Sequence, residues 1–499
     1  MPKRIFALIA GLTAALLGLY SALGAQTPIV YDQYFTDKAM RLDLYQAGDA
    51  KDEIVTIDRI IEEPLWPETR TMLIDPFGYG RYRLEVYDVA SNRLLYSRGF
   101  DGMFAEYKTT TPAIEGVKRV FQRSVRIPYP KRPVMFVVEV RDKKNLYHPL
   151  FTQAIDPADY HILHETNAAG DWIYEPIVSG DPRKVLDFVF IAEGYTAAKR
   201  DKFKADVDRF AALLLSVEPY KSARSRISIR AVFRPSAESA MDEPRQKVYK
   251  KTVLDASFNA FDLDRYMLIE ADHRLHEIAA QVPYDAIIVL VDSKRYGGGS
   301  IAFDYCVSTV DFQTSPSVLM HELGHSFGGL ADEYYASEVS YNDFYPKGVE
   351  PSEPNITALL DPANVKWKDL LSPGIAVPTE YGKDQVEALK AERQKLRAAL
   401  GEDLAKARAR KAAEDEIKAF QDKAATAEKE IQAKIDAVRA KYKDLEGKVG
   451  VFEGAGYSSK GLFRSQINCL MITYVKNEFC AVCRRAINDM IEYFAPTAR

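Results

Sequence analysis

The hydrophobic and polar positions divide the chain into three textures. From about Tyr31 to Asp156 short runs alternate, as in Arg81-Tyr82-Arg83-Leu84-Glu85-Val86-Tyr87 and Val134-Met135-Phe136-Val137-Val138-Glu139-Val140, with turn signals such as Asp75-Pro76-Phe77-Gly78 and Ala90-Ser91-Asn92 between them. A period of two is what a half-buried strand requires, and several such strands separated by turns predict a β-sandwich. From about Val185 the pattern changes to mostly apolar strand candidates at Val185–Ile191, Ile227–Phe233 and Ala286–Val291, with Asp187, Ser228 and Arg230 among the apolar positions. Helical spacing falls between them, with Phe203, Val207, Phe210 and Leu214 on one face of a segment from Ala197 to Leu215. Strands buried on both faces and alternating with amphipathic helices predict an α/β unit.

The third texture, from about Asp384 to Leu445, is rich in Ala, Glu, Lys, Arg and Leu, with no Pro and one internal glycine, Gly401. Its thin apolar seam (Ile417, Phe420, Ile431, Ile435, Val438) predicts long helices paired as a coiled-coil-like insertion. Such an insertion is either a solvated arm or a surface through which the chain forms oligomers. The polar segment between about Glu165 and Arg183 reads as a linker.

At the start of the chain Lys3 and Arg4 precede an apolar stretch from Ile5 to about Ala25 that ends in small residues. That is the layout of a secretory signal peptide, and it predicts an exported protein, periplasmic or secreted. The alternative is an uncleaved membrane anchor, because the stretch is nearly long enough to span a bilayer. No later segment has that character, so no stable membrane insertion is expected once the signal is removed. The expected organisation is a signal peptide over 1–25, a β-sandwich over 26–165, and a chemistry-bearing unit over 183–499 that carries the helical insertion at 384–445.

Composition narrows the function classes. Hydrophobic residues at 47% and charged residues at 28% describe a globular chain. Lys+Arg at 67 against Asp+Glu at 71 leaves a net charge of -4, without the basic excess of a nucleic-acid binder or a polybasic membrane binder. Four cysteines exclude a disulfide-dense scaffold. In an exported protein the expected pairs are Cys480 with Cys483 and Cys306 with Cys469. Binding of a second, structural metal by the four, or free thiols, are the alternatives.

The chemistry concentrates between Ser315 and Tyr335. His321-Glu322-Leu323-Gly324-His325 places two imidazoles four residues apart, one above the other on a helix face, where both reach one metal ion. With only 7 histidines in 499 residues, that spacing around a Glu is not expected by chance. Glu322 stands beside the pair as the general base for water, and Ser315 or Ser317 is the candidate N-cap. The other five histidines (His148, His161, His164, His273, His276) lack such spacing and read as structural or exposed.

A catalytic zinc usually takes three protein ligands and keeps one position open. Asp332 lies eleven residues beyond His321, about 16 Å along an unbroken helix. It can reach the same ion only if the helix ends after His325, and Gly328-Gly329 supplies that break. Glu333 is the nearest competitor and Glu453 a distant one. For Asp332 itself the other reading is a carboxylate that orients a ligating imidazole. A Gly break followed by a nearby third ligand is the metzincin layout, which also needs a methionine turn beneath the zinc. Met471, in Gln466-Ile467-Asn468-Cys469-Leu470-Met471, is the candidate. Tyr474 follows closely, as a donor to a developing oxyanion. Upstream, Gly297-Gly298-Gly299-Ser300-Ile301 leads into an edge strand that could align an extended peptide by strand addition.

The stretch from His321 to Tyr334 resembles the zinc site of the IgA peptidase family of metallopeptidases. So do Asp187-Phe188-Val189-Phe190-Ile191-Ala192-Glu193-Gly194-Tyr195-Thr196, Val451-Phe452-Glu453-Gly454-Ala455-Gly456-Tyr457 and Asn468-Cys469-Leu470-Met471. Tyr96-Ser97-Arg98-Gly99-Phe100 resembles the same family's N-terminal domain. The resemblance spans nearly all of the chain after the signal, apart from the charged helices beyond Asp384. It implies a zinc endopeptidase with one catalytic Zn2+, a β-sandwich in front and a protein or glycoprotein as substrate. It carries His321 and His325 over as ligands and Glu322 as the base, hydrolysis proceeding by a zinc-activated water. The chain departs from stricter metzincins in having Ala331 where their third ligand falls, with the acid one residue later. Two other functions are compatible with these residues: a binding protein with an inert motif, and a zinc amidase or deacylase acting on cell-wall or glycan amides.

Overall fold

The structure, a computed structural model, describes residues 28–164, 170–336, 339, 341–342, 344–474 and 477–497. The signal-peptide expectation therefore lies outside the described residues. Among them no helix is long and apolar enough to cross a membrane.

The front of the chain forms seven longer strands: β1 (Phe35–Gly48), β2 (Glu53–Glu63), β3 (Tyr82–Asp88), β4 (Leu94–Phe100), β5 (Arg119–Pro130), β6 (Val134–Arg141) and β7 (Tyr147–Ile155). With the two-residue β8 (Leu163–His164) they make two four-stranded sheets, in the orders β5-β1-β2-β8 and β4-β3-β6-β7. Met40, Leu42, Val125 and Ile127 of the first sheet and Leu84, Val86, Phe136 and Val138 of the second share one core. The period-two alternation sends one set of side chains from each sheet into that core.

The second domain is built on a six-stranded sheet of order β15-β16-β14-β10-β11-β9. Its strands are β9 (Trp172–Ile177), β10 (Leu186–Glu193), β11 (Ile227–Phe233), β14 (Ala286–Val291), β15 (Gly298–Ile301) and β16 (Tyr305–Thr309). Two-residue β12 (Ala256–Ser257) and β13 (Leu268–Ile269) form a separate ladder. Strands β11, β10, β14 and β16 run parallel, while β9 and β15 close the two edges antiparallel. The stretch read as a linker thus contains an edge strand: Trp172, Ile173 and Tyr174 pair with β11. The interspersed polar residues masked three aromatic and β-branched positions that favour a strand.

Mostly apolar runs mark the central strands because both faces are covered. Phe188 and Phe190 of β10 and Ile288 and Leu290 of β14 point into one core. Val189, Ile191, Ile287 and Val289 point into another. Each such side chain contributes about 1.5–3 kcal/mol by leaving water. The first core is closed by three helices, α1 (Arg200–Leu214), α3 (Ser315–Ser326) and α6 (Ala481–Phe494). The second is closed by α2 (Asp272–Ala279) together with Met103, Phe104, Tyr107 and Phe121 of the front domain, so the two domains share buried surface.

The charged segment folds as two 27-residue helices, α4 (Lys383–Ala409) and α5 (Glu414–Ala440). They pack on each other through Val386, Ile431, Ile435 and Val438, with Leu389 and Leu396 alongside. An exposed Arg397–Glu428 pair at 2.6 Å ties them further out. This small cluster holds Ile431, Ile435 and Val438 of the expected seam but not Ile417 or Phe420, and most of the hairpin surface faces water.

Candidate metal centre

The helix α3 places the first donors. Pro316 occupies its first turn, where a missing N–H costs nothing. The N-cap is Thr314, not Ser315 or Ser317, and its side chain makes no capping hydrogen bond. Leu319, Leu323 and Met320 anchor the helix in the first core, which leaves His321, Glu322 and His325 facing the cleft. Gly324 sits between the histidines because a side chain there has no room: a Cβ would stand 2.8 Å from Met471 Sδ. Gly329 closes the helix in the left-handed region, φ +59°, a conformation glycine adopts without steric cost.

The turn brings Asp332 back. Its Oδ1 lies 3.1 Å from His321 Nε2 and 3.3 Å from His325 Nε2, and the two Nε2 atoms are 3.2 Å apart. Each imidazole is oriented from behind: Leu470 O accepts from His321 Nδ1 at 3.1 Å and Leu330 O accepts from His325 Nδ1 at 2.5 Å. Both tautomers then present a lone pair at Nε2 to the same point. Asp332 Oδ2 accepts from the Tyr457 hydroxyl at 2.6 Å, while Oδ1 is buried without a hydrogen-bond donor.

Three donors spaced 3.1–3.3 Å apart fit a single small cation. Tetrahedral zinc with N and O ligands at about 2.0–2.1 Å sets its donors about 3.3–3.4 Å apart. Electrostatics agree that the place is built for positive charge. Burial disfavours the His325 imidazolium, yet the Asp332 carboxylate outweighs it and lifts the pKa to about 9. Burial likewise disfavours the Asp332 carboxylate, but the two imidazoles hold its pKa far below the usual carboxylate range.

Glu322 faces the same cleft, its Oε2 accepting from Ser300 Oγ of β15 at 2.7 Å. Met471 is fully buried beneath Gly324, and its carbonyl accepts from Glu333 N–H at 2.9 Å. Tyr474 stands edge-on to His321, ring centroids 5.6 Å apart. Its pKa is raised, by burial first and then by Glu322, so its hydroxyl keeps the proton.

The two competing acids lie elsewhere. Glu333 turns the opposite way from Asp332 and meets Asn355, Cys480 and Cys483. Glu453 binds Lys460 and the Gly461 N–H at the surface. Alternation along an extended segment puts adjacent side chains on opposite sides, so only one of Asp332 and Glu333 can face the histidines.

The cysteines are all free, contrary to the expected disulfides. Cys306 lies in β16 and donates to no other cysteine, while Cys469, Cys480 and Cys483 gather around Glu333. Of the remaining histidines, His148, His161 and His164 are exposed beside carboxylates, and His273 and His276 are buried. His276 belongs to a cluster with Asp272 and Asp304 whose cation is already present: Arg123 Nη1 lies 2.6 Å from Asp304.

Several contributors carry no signal in the local sequence. The cleft, about 130 Å³, is walled by Tyr79, Arg81 and Glu106 of the front domain as well as by Tyr334, Tyr341 and Tyr457. Glu106 Oε2 accepts from both Tyr266 and Tyr341 at 2.7 Å, and burial pushes its carboxyl up to about 7. Asn355 clamps the turn by bonding Ala331 N–H and C=O at 2.8 and 2.9 Å. The edge of β15 is partly covered by the chain itself, since Met267 N–H donates to Gly298 O at 3.2 Å.

Comparison with curated proteins matches none of them. Two family models match this chain: one described as Peptidase M64 N-terminus over residues 30–152, and one described as IgA Peptidase M64 over residues 176–491. Together they take in most of both domains, including the helix with the paired imidazoles, the Asp332 turn and the Met471 segment, and the chain belongs to the IgA Peptidase M64 family of peptidases.

Proposed function

We propose that this peptidase is an exported, metzincin-like zinc endopeptidase in which His321, His325 and Asp332 hold the ion and Glu322 is the general base. The observation that carries the reading is the triangle of Nε2, Nε2 and Oδ1 atoms at 3.1–3.3 Å with an orphaned buried carboxylate oxygen at one corner. A zinc ion held there would supply Lewis acidity toward a scissile carbonyl and toward water.

The chain's own residues do the rest. Glu322, fixed by Ser300, takes a proton from the attacking water and hands it to the departing amine. Tyr474, protonated at neutral pH and edge-on to His321, is the donor to the oxyanion. Tyr457 holds the Asp332 carboxylate in place through Oδ2, leaving Oδ1 for the ion. Met471 supports the helix from below, in the position of a methionine turn. Substrate enters the cleft beside β15, whose Gly298 and Ser300 line it.

The test is hydrolysis of denatured casein and of immunoglobulin by the mature chain, with and without a chelator. Glu322→Ala is expected to keep the ion and to lose nearly all cleavage. Cleavage at the unaltered rate by that variant, or in excess chelator, would rule the mechanism out.

A further inference from the structure

The three cysteines and Glu333 form a second donor set on the opposite side of the Asp332 segment. Glu333 Oε1 lies 3.1 Å from Cys483 Sγ and 3.8 Å from Cys480 Sγ, and Cys469 Sγ lies 3.7 Å from Cys483 Sγ. All four donor atoms fall within 4.8 Å of one another, and all four residues are buried. A tetrahedral zinc with thiolates at about 2.3 Å sets its sulfurs about 3.8 Å apart and an oxygen ligand about 3.5 Å from each sulfur. The observed spacings are close to those edges.

We propose that Glu333, Cys469, Cys480 and Cys483 are the ligands of a second, structural metal site for a thiophilic divalent cation, zinc by the chemistry of its donors. Three further observations support it. Glu333 is fully buried, its Oε2 has no hydrogen-bond partner, and among the described residues it forms no ion pair with Lys or Arg. A carboxylate so placed needs a cation or must stay protonated. The thiols also receive the N–H donors that thiolates need: Cys480 N–H reaches Cys469 Sγ at 3.2 Å, and Cys483 N–H reaches Cys480 Sγ at 3.4 Å. Cys480 is the N-cap of α6, where the helix dipole favours a negative sulfur. Finally, three thiols cannot pair off as disulfides among themselves, and 3.7 Å between Cys469 and Cys483 is far beyond a sulfur–sulfur bond of about 2.05 Å.

An ion entering this set displaces the thiol protons to solvent and forms bonds to three sulfurs and one carboxylate oxygen, with no change of oxidation state. Its effect is to tie the Asp332–Glu333 turn, the Met471 segment and α6 into one unit. That unit carries one contact of the first site, Leu470 O, which orients His321, and Met471 O accepts from Glu333 N–H within it. The inference stands whether or not His321 and His325 hold an ion.

Metal content per full-length mature chain, read by plasma mass spectrometry, tests it together with the absorption of the cobalt-loaded protein. Two ions per chain are expected, with a sulfur-to-cobalt charge-transfer band in the near ultraviolet. His321→Ala/His325→Ala should keep one ion and the band. Cys480→Ser/Cys483→Ser should keep at most one and lose the band. Should either variant fail to fold, the unaltered chain decides: absence of the sulfur-to-cobalt band overturns the proposal. So does an unreduced mass lower by two hydrogens with two thiols resistant to alkylation after denaturation, which is a disulfide. One ion with the band means that the histidine site has failed; one ion without it means that this one has.

Discussion

Asp332 and Glu333 are neighbours in the chain and serve two donor clusters that differ in almost every respect. Asp332 faces two imidazoles and a cleft lined by residues of both domains, where a substrate can arrive. Glu333 faces three buried thiols beside α6, away from that cleft, and Cys469 and Cys480 border a separate cavity of about 240 Å³. The third donor group, Asp272, His276 and Asp304, is filled by Arg123 from the front domain. What separates the three is access and the nature of the cation, rather than the density of ligating atoms. An arginine balances charge and fixes a domain contact, thiolates select a structural ion, and an N,N,O triangle with an open side leaves room for chemistry.

The largest expected effect comes from removing each of the two carboxylates in turn. Asp332→Ala should abolish both hydrolysis and binding of the cleft ion, whereas Glu333→Gln should leave that ion on the histidines and lower the melting temperature. Ion counts and thermal melts on the two variants check this, and equal effects would erase the distinction between the clusters. Next is Glu322→Ala, expected to cut turnover by about 10²–10⁴-fold or more with the ion retained, as loss of a general base does. Tyr457→Phe removes the hydroxyl at 2.6 Å from Asp332 Oδ2 and should weaken binding of the cleft ion by about 10–100-fold, read by competition with a chelator.

A smaller effect concerns pH. Glu106, raised to about 7 by burial, holds its proton in the folded protein at pH values where the unfolded chain, with an ordinary Glu near about 4.3, has lost it. Its contribution to stability is therefore complete below about pH 4 and lost as pH rises through 7. Asp101 and Glu193, both raised to about 6 by burial, act in the same direction. Glu106→Gln should thus shrink, without abolishing, the fall in melting temperature between pH 5 and pH 8, and an undiminished fall would show that another group is responsible. The smallest effect is predicted for Arg397→Ala, whose partner Glu428 is solvent-exposed on the helical hairpin: neither the melting temperature nor cleavage should change measurably.

Much of this was legible in the sequence, for reasons that residues make plain. The strand run Ile227–Phe233 coincides with β11 because a strand covered on both faces is mostly apolar, its buried Arg230 being neutralised by Asp187 of β10. The paired histidines were legible because helical geometry converts a spacing of four into proximity. The choice among Asp332, Glu333 and Glu453 was not, because it depends on which way an extended segment rotates after Gly329, and Asn355 and Tyr457 fix that from far along the chain. The cysteines misled because the compartment suggests disulfides while only packing shows three thiols converging on a buried carboxylate. Nor does any local pattern announce that Tyr79, Arg81 and Glu106, in a domain whose sequence carries no catalytic cluster, wall the cleft.

The most direct test of the account is anomalous diffraction at the zinc edge from crystals of the mature chain. It should show a peak at about 2.0–2.2 Å from His321 Nε2, His325 Nε2 and Asp332 Oδ1 together. A chain that cleaves casein with no peak between those three atoms would contradict it.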